Sequence, residues 1–357
     1  MSASNSFLST LLDFFARLFK PPAPPVTPTP PESGELTPLS PRVLVIVYNP
    51  VVDATTGKKL IQEMNWNDPD TLTAGYIADQ RECSGGLVNY QIVERIEITA
   101  FPKKESGLVY QPNQYVSAYR AGGAGLDPGL VDYDAIITEF NLLARVANRE
   151  IDEVWIWNFP GAGFYESTLA GKGAFYCNSE PRPHTDQCPR KFVIMGFSYE
   201  RGIGEMLENL GHRTESVLAR VYGSEDFLAK TYNASARNPE LGARARNAFE
   251  RFLLFDMIAP GKAQCGNVHF APNSVRDYDW GNPTPVTSYC DDWDHFPEFP
   301  GLARTVDANE WGSGEIRAHH KWWMKHFPRI AGVTNGIANN WWKYIIDVND
   351  PIFDRPR

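Results

Sequence analysis

Three apolar runs punctuate the chain: VLVIVY at 43–48, EVWIWNF at 153–159 and KFVIMGF at 191–197. Runs of this length with no polar alternation predict strands buried on both faces. Between and after them, apolar residues recur at helical spacing over parts of 58–80, over 134–150, 199–222 and 241–257. The segment GGLVNYQIVERIEITAF at 85–101 reads as a turn followed by an alternating strand. Strand and helix in alternation predict an α/β fold, a mainly parallel sheet with flanking helices. From about residue 260 the periodicity is lost, and a long irregular, Trp-rich C-terminal region follows.

In open parallel sheets, ligands bind beyond the carboxyl ends of the strands. Those ends are predicted at Asn49, at Asn158 to Gly163 with Tyr165 and Glu166 just beyond, and at Ser198 to Arg201. Gly122, Gly123 and Gly125 form a turn that no strand enters and no phosphate-spaced helix leaves, so they read as loop.

The ends of the chain divide it further. Residues 1–20 place Phe7, Leu8, Leu11, Leu12, Phe14, Phe15, Leu18 and Phe19 on a helical repeat broken by Asp13 and Arg17. That stretch is too short and too charged to span a bilayer, and it predicts an amphipathic helix that tethers the protein to a membrane surface or a partner groove. Residues 21–42 are proline-rich and predict a semi-rigid spacer. Residues 43–357 are expected to form one α/β domain, elaborated from about 260.

The chemistry concentrates in 199–222. At about 100° per residue, Glu205, Glu208, His212 and Glu215 share an arc of roughly 80°, with Ile203, Leu207, Leu210, Thr214, Val217, Leu218 and Val221 opposite. A solvated face would supply such a stripe, and His212 between Glu208 and Glu215 would be a stabilised imidazolium. Against that, three carboxylates repel one another unless a cation is present. Gly204 and Gly211 lie beside them, as if something approaches the backbone closely.

Gly211-His212-Arg213-Thr214-Glu215 resembles the histidine and glutamate ligand pair of zinc carboxypeptidases and related deacylases. There the pair sits on a strand-to-loop turn, whereas here it falls within a helical pattern; HExxH is absent. The resemblance implies zinc held by His212 with Glu215 or Glu208, a third ligand from His269 or His319, and a water activated by Glu200 or Glu205. The expected function is a metal-dependent hydrolase acting on a peptide or glycan conjugate.

A second reading needs no metal: Glu166 and Glu200 as the acid and base of a glycoside hydrolase, or as sugar-binding groups of a carbohydrate-binding protein. Seven of the ten tryptophans fall between Trp280 and Trp342 and would supply flat surfaces. Tyr199, Arg201, Asn158, Trp322 and Trp341 are the candidate substrate-binding residues. A non-catalytic tethered binding protein is the third reading.

Composition narrows the partners. The formal charge of −9, with no basic run interleaved with aromatics, argues against nucleic acid. There are five cysteines and no CxxC; four of them flank two irregular loops, so Cys177 with Cys188 and Cys265 with Cys290 are candidate disulfides for an oxidising compartment, with Cys83 left over. The spacer and these cysteines lean toward the cell envelope or a membrane-associated location, and the missing cleavage signal leans toward the cytoplasmic face. There is no GxSxG and no internal repeat.

Overall fold

The computed structural model describes residues 36–234 and 236–355, and residues 36 onward pack as one compact unit. The predicted tether at 1–20 and most of the spacer lie outside the described residues. Five strands form the central sheet: β1 (Arg42–Tyr48), β2 (Gln91–Ile98), β3 (Glu153–Asn158), β4 (Ser167–Ala170) and β5 (Phe192–Ser198), in the order β2-β1-β3-β5-β4. The first three pairings are parallel, and β4 runs antiparallel to β5 at the edge, so the sheet is mixed and mostly parallel.

The apolar runs are the three inner strands. β1, β3 and β5 are buried almost throughout, because helices and loops cover both faces of the sheet. β2, at the other edge, exposes Gln91 through Arg95, which explains its polar composition. The tiny β4 carries no pattern of its own beyond four buried residues.

Two predicted helices are broken in two. The 134–150 segment forms Tyr133–Glu139 and Leu142–Ala147, parted at Asn141, whose φ of 49° is left-handed. The 241–257 segment yields only Pro239–Gly242 and Ala248–Phe252. By contrast α1 (Pro69–Cys83) starts at an Asp68 cap that accepts from Thr71 N at 2.8 Å, and α2 (Ile203–Tyr222) runs unbroken from β5 to a left-handed Gly223. α3 (Glu225–Tyr232), α4 (Ile316–Lys325) and α5 (Trp341–Ile346) complete the helices used below.

The irregular C-terminal region is a second half of the core. All seven tryptophans from Trp280 to Trp342 are buried; Trp293, Trp323, Trp341 and Trp342 pack around Phe252 and Phe327, Trp311 packs on Trp322, and Trp280 lies against His319 and His320. Trp322 and Trp341 therefore offer no open ring face to a ligand, contrary to the expectation of a stacking surface. All five cysteines are buried and free, so neither expected disulfide forms. Cys188 Sγ instead donates to Arg190 O at 3.1 Å, and Cys177 Sγ lies 3.8 Å from Ser167 Oγ. Among the described residues no helix is long and apolar enough to cross a membrane.

Candidate metal centre

The polar face of α2 is not wet. Glu208 and Glu215 are 6% and 2% exposed, because the segment 266–280 and α4 lie over them. Both helix glycines are sites of close approach by protein: a Cβ on Gly211 would lie 2.6 Å from Val268 Cγ2, and one on Gly204 2.4 Å from Ile316 Cγ2. Gly211 thus lets the turn at 266–271 settle onto the helix. Gly266, with φ of 76°, closes that turn, and a Cβ there would strike Phe270 O. Val268 N then donates to Glu215 Oε1 at 3.0 Å, which places His269 over His212.

Three ligand atoms converge at this contact. His269 Nε2 is 3.1 Å from His212 Nε2 and 3.2 Å from Glu208 Oε1, and His212 Nε2 is 3.9 Å from the same oxygen. Three ligands about 2.0–2.2 Å from one zinc-sized ion at tetrahedral angles stand roughly 3.4 Å apart, so the spacing fits one ion. The opposite ring nitrogens are both tied to carboxylates: His212 Nδ1 lies 3.3 Å from Glu215 Oε2, and His269 Nδ1 2.8 Å from Asp277 Oδ1. With Nδ1–H donated outward, each Nε2 turns its lone pair to the common point, which is how metal-bound histidines are ordinarily held.

The supporting groups are themselves fixed. Tyr232, on α3, donates to Glu215 Oε2 at 2.5 Å, and Tyr278 donates to Glu208 Oε1 at 2.8 Å. Burial pushes the Glu208 carboxyl up, but the close contact with His269 and the hydrogen bond from Tyr278 outweigh it and hold the pKa at about 2. Burial likewise opposes charge on His212, yet the hydrogen bond and charge of Glu215, then Glu166 and Glu208, raise its pKa above the ordinary value. The metal-free site therefore favours a proton where a cation fits. Burial and the Glu215 charge keep the Tyr232 phenol protonated, so it remains a donor.

Beside the cluster opens a cavity of ≈ 520 Å³, lined by His212, Tyr232 and His269 together with apolar Phe175, Ala219 and Leu228. A smaller cleft of ≈ 260 Å³ lies at the carboxyl ends of the strands, where topology predicted a ligand site, and is lined by Asn158, Glu166, Glu200 and Glu205. No family model, curated protein or solved structure matches the chain.

The sequence-derived candidates separate accordingly. Glu208, His212 and His269 come together, while Glu215 stands behind His212 rather than beside the ligand atoms. His319 is fully buried and outside the group. Glu205 caps α2, accepting from Gly202 N at 3.0 Å, and Glu200 accepts from Tyr119 OH at 3.4 Å with Arg201 alongside. Tyr199 is buried in the core and donates to Tyr48 O, and Asn158 donates to Ile156 O. Glu166 accepts from Asn178 Nδ2 at 2.6 Å, and its charge reaches both His212 and Tyr278. Asp277, Tyr278 and Tyr232 are new; the run DYDW held the first two in plain view, but no periodicity ties it to α2.

A second group, Cys290, Asp291 and His326, also clusters. There Arg304 Nε lies 2.9 and 2.8 Å from the two oxygens of Asp291, so a guanidinium already compensates the carboxylate.

Proposed function

We propose that the protein is a metal-dependent hydrolase in which Glu208, His212 and His269 hold one divalent ion, with zinc suited to the donor set, and that it acts on an acyl bond of a peptide or glycan conjugate. The observation that carries this reading is the convergence of two imidazole Nε2 atoms and one carboxylate oxygen while both Nδ1 atoms are held by carboxylates. Two histidines and one glutamate leave a coordination position open, and an ion so held supplies a Lewis acid and a bound water of lowered pKa.

The chain's own residues divide the remaining work. Glu215 and Asp277 orient the imidazoles, and Tyr232 and Val268 hold Glu215 in place. Tyr278 caps the ligand oxygen of Glu208. Glu166, whose charge acts on His212 and Tyr278, is the carboxylate we assign to take a proton from attacking water, Glu200 and Glu205 being engaged away from the cluster. The apolar cavity beside His212 accepts the side chain or acyl portion next to the bond cut.

The test starts from protein stripped by chelator. Zinc titration is expected to give one tight site, reduced by about a hundredfold or more in His212→Ala and His269→Ala, and zinc is expected to restore hydrolysis within a panel of fluorogenic peptides and glycan conjugates. Glu166→Gln is expected to keep the zinc and lose turnover. Equal zinc affinity in wild type and His269→Ala would remove the centre; tight zinc with no hydrolysis across the panel would remove the activity.

A further inference from the structure

Behind the candidate centre, four ring nitrogens are buried without a hydrogen-bond partner: Nε2 of His320, both nitrogens of His319, and Nε1 of Trp280. The Trp280 ring stacks on His319 at 5.1 Å and meets His320 edge-on at 5.1 Å. It also touches Tyr278 at 5.2 Å, which meets His269 at a tilt with centroids 4.1 Å apart, so ring contacts run unbroken from the cluster to α4. α4 itself packs along α2. Leaving a buried acceptor unpaired costs on the order of 1–3 kcal/mol, so an orphan here needs a reason.

His320 supplies one. Its Nδ1 lies 2.7 Å from Ile316 O, and a carbonyl can only accept; the proton is on Nδ1 and the lone pair on Nε2. His212 and His269 are held in the same way, with carboxylates in place of the carbonyl. Yet the ring of ligand atoms that closes within 4.8 Å is Glu208, His212 and His269, without His320. The charges of Glu208, His212 and His269 act on His320, which sets it near the cluster, and a water about 2 Å from an ion reaches an acceptor about 2.8 Å farther on, outside the ligand ring.

We infer that His320 is a positioning residue of this centre, its Nε2 accepting a hydrogen bond from the water on the ion and so fixing how that water is turned. The inference rests on the metal reading above. The groups facing His320 are Glu208 and His212 from α2, His269 from the 266–271 turn, and His319 beside it on α4. Burial, with Glu208 opposing, holds the His320 pKa down to about 4, which leaves the lone pair available at neutral pH.

Cobalt in place of zinc makes the water visible, because ionisation of a bound water changes the cobalt absorption spectrum. An acceptor favours the form with more O–H bonds to donate, so His320→Phe is expected to move the spectral transition to lower pH by about one unit, with cobalt affinity within about tenfold of wild type. His320→Gln, which keeps an acceptor oxygen, is expected to recover most of the shift. An unmoved transition in folded His320→Phe overturns the inference and leaves His320 as core. An affinity loss beyond about a hundredfold also overturns it, by making His320 a ligand. Wild-type protein that takes up no cobalt sinks the metal reading itself. Should His320→Phe fail to fold, ¹⁵N NMR of the wild-type imidazole decides: the Nδ1–H tautomer with an Nε2 resonance moved by zinc is expected, and an Nε2 indifferent to zinc refutes the role.

Discussion

α2 carries buried charge on two sides, and the two sides are built differently. On the sheet side, Arg213 donates through Nη1 and Nη2 to Glu153 at 2.9 and 2.6 Å, and Trp155 and Tyr90 donate to the same carboxylate. One cation meets one anion, and the carboxylate oxygens are supplied with donors. On the C-terminal side, Glu208, Glu215, His212, His269 and Asp277 assemble with no Lys or Arg among them. Carboxylates hold the outer nitrogens of both histidines and Tyr278 donates to the Glu208 oxygen, while Nε2 of two histidines and that oxygen face a common point. Glu208 and Glu215 are nearly as hidden as the Arg213–Glu153 pair, whereas the His212 and His269 side chains are half-buried at the rim and Asp277 is 56% exposed. Burial of charge alone therefore does not distinguish the two sides; a surplus of converging acceptors does.

The sharpest way to break this comparison is Arg213→Met, which strands Glu153 in the core. A loss of about 3–5 kcal/mol in urea unfolding is expected, since an unpaired buried charge is left behind. On the other face, Glu208→Gln is expected to abolish tight zinc binding with a much smaller stability loss in the metal-free protein; comparable losses for the two variants would erase the distinction. Next in size is Asp277→Asn, which keeps the ligands and loosens one support. Zinc affinity is expected to fall about 10–100-fold by competition titration, and an unchanged value would make the Asp277 contact incidental.

The smallest effect is on pH. His319, His320 and His326 are held below the ordinary histidine range by burial, so the unfolded chain binds more protons and stability rises with pH up to about 6.5. His212 is raised, so its contribution is present below about 6.5 and is lost as pH climbs through its folded value. Metal-free protein is thus expected to be most stable near neutrality and to weaken on the alkaline side, a decline that His212→Gln removes. Saturating zinc is expected to abolish that alkaline decline, because the ion binds deprotonated His212. Urea unfolding at several pH values, with and without zinc, reads both trends.

Much of this was legible in the residue pattern. The inner strands announce themselves as apolar runs, and α2 ends where its 3.6-residue spacing ends, although it begins at Ile203, four residues after the expected start, because Tyr199 to Gly202 turn the chain out of β5. Glu208 and His212 are four apart on one helix, so their proximity is arithmetic. What the pattern could not carry was anything set by docking. The stripe looks wet in projection because the residues that cover it, Val268 and Ile316, belong to a turn and a helix far along the chain. Gly204 and Gly211 signalled close approach correctly, but the visitor is the protein's own side chains. The tryptophans looked like a ligand platform because aromatic count carries no information about exposure. Asp277 and Tyr278 sit in an irregular segment where no repeat assigns a facing surface.

The turn closed by Gly266 has a consequence for the order in which the molecule is made. Glu208 and His212 are ready as soon as α2 forms, but His269 arrives only when that turn docks over Gly211. A chain emerging from the ribosome therefore carries half a site for as long as it takes to add the later segment, and half a site holds an ion weakly. On the metal reading proposed above, ion capture would then be a late event, coupled to completion of the fold.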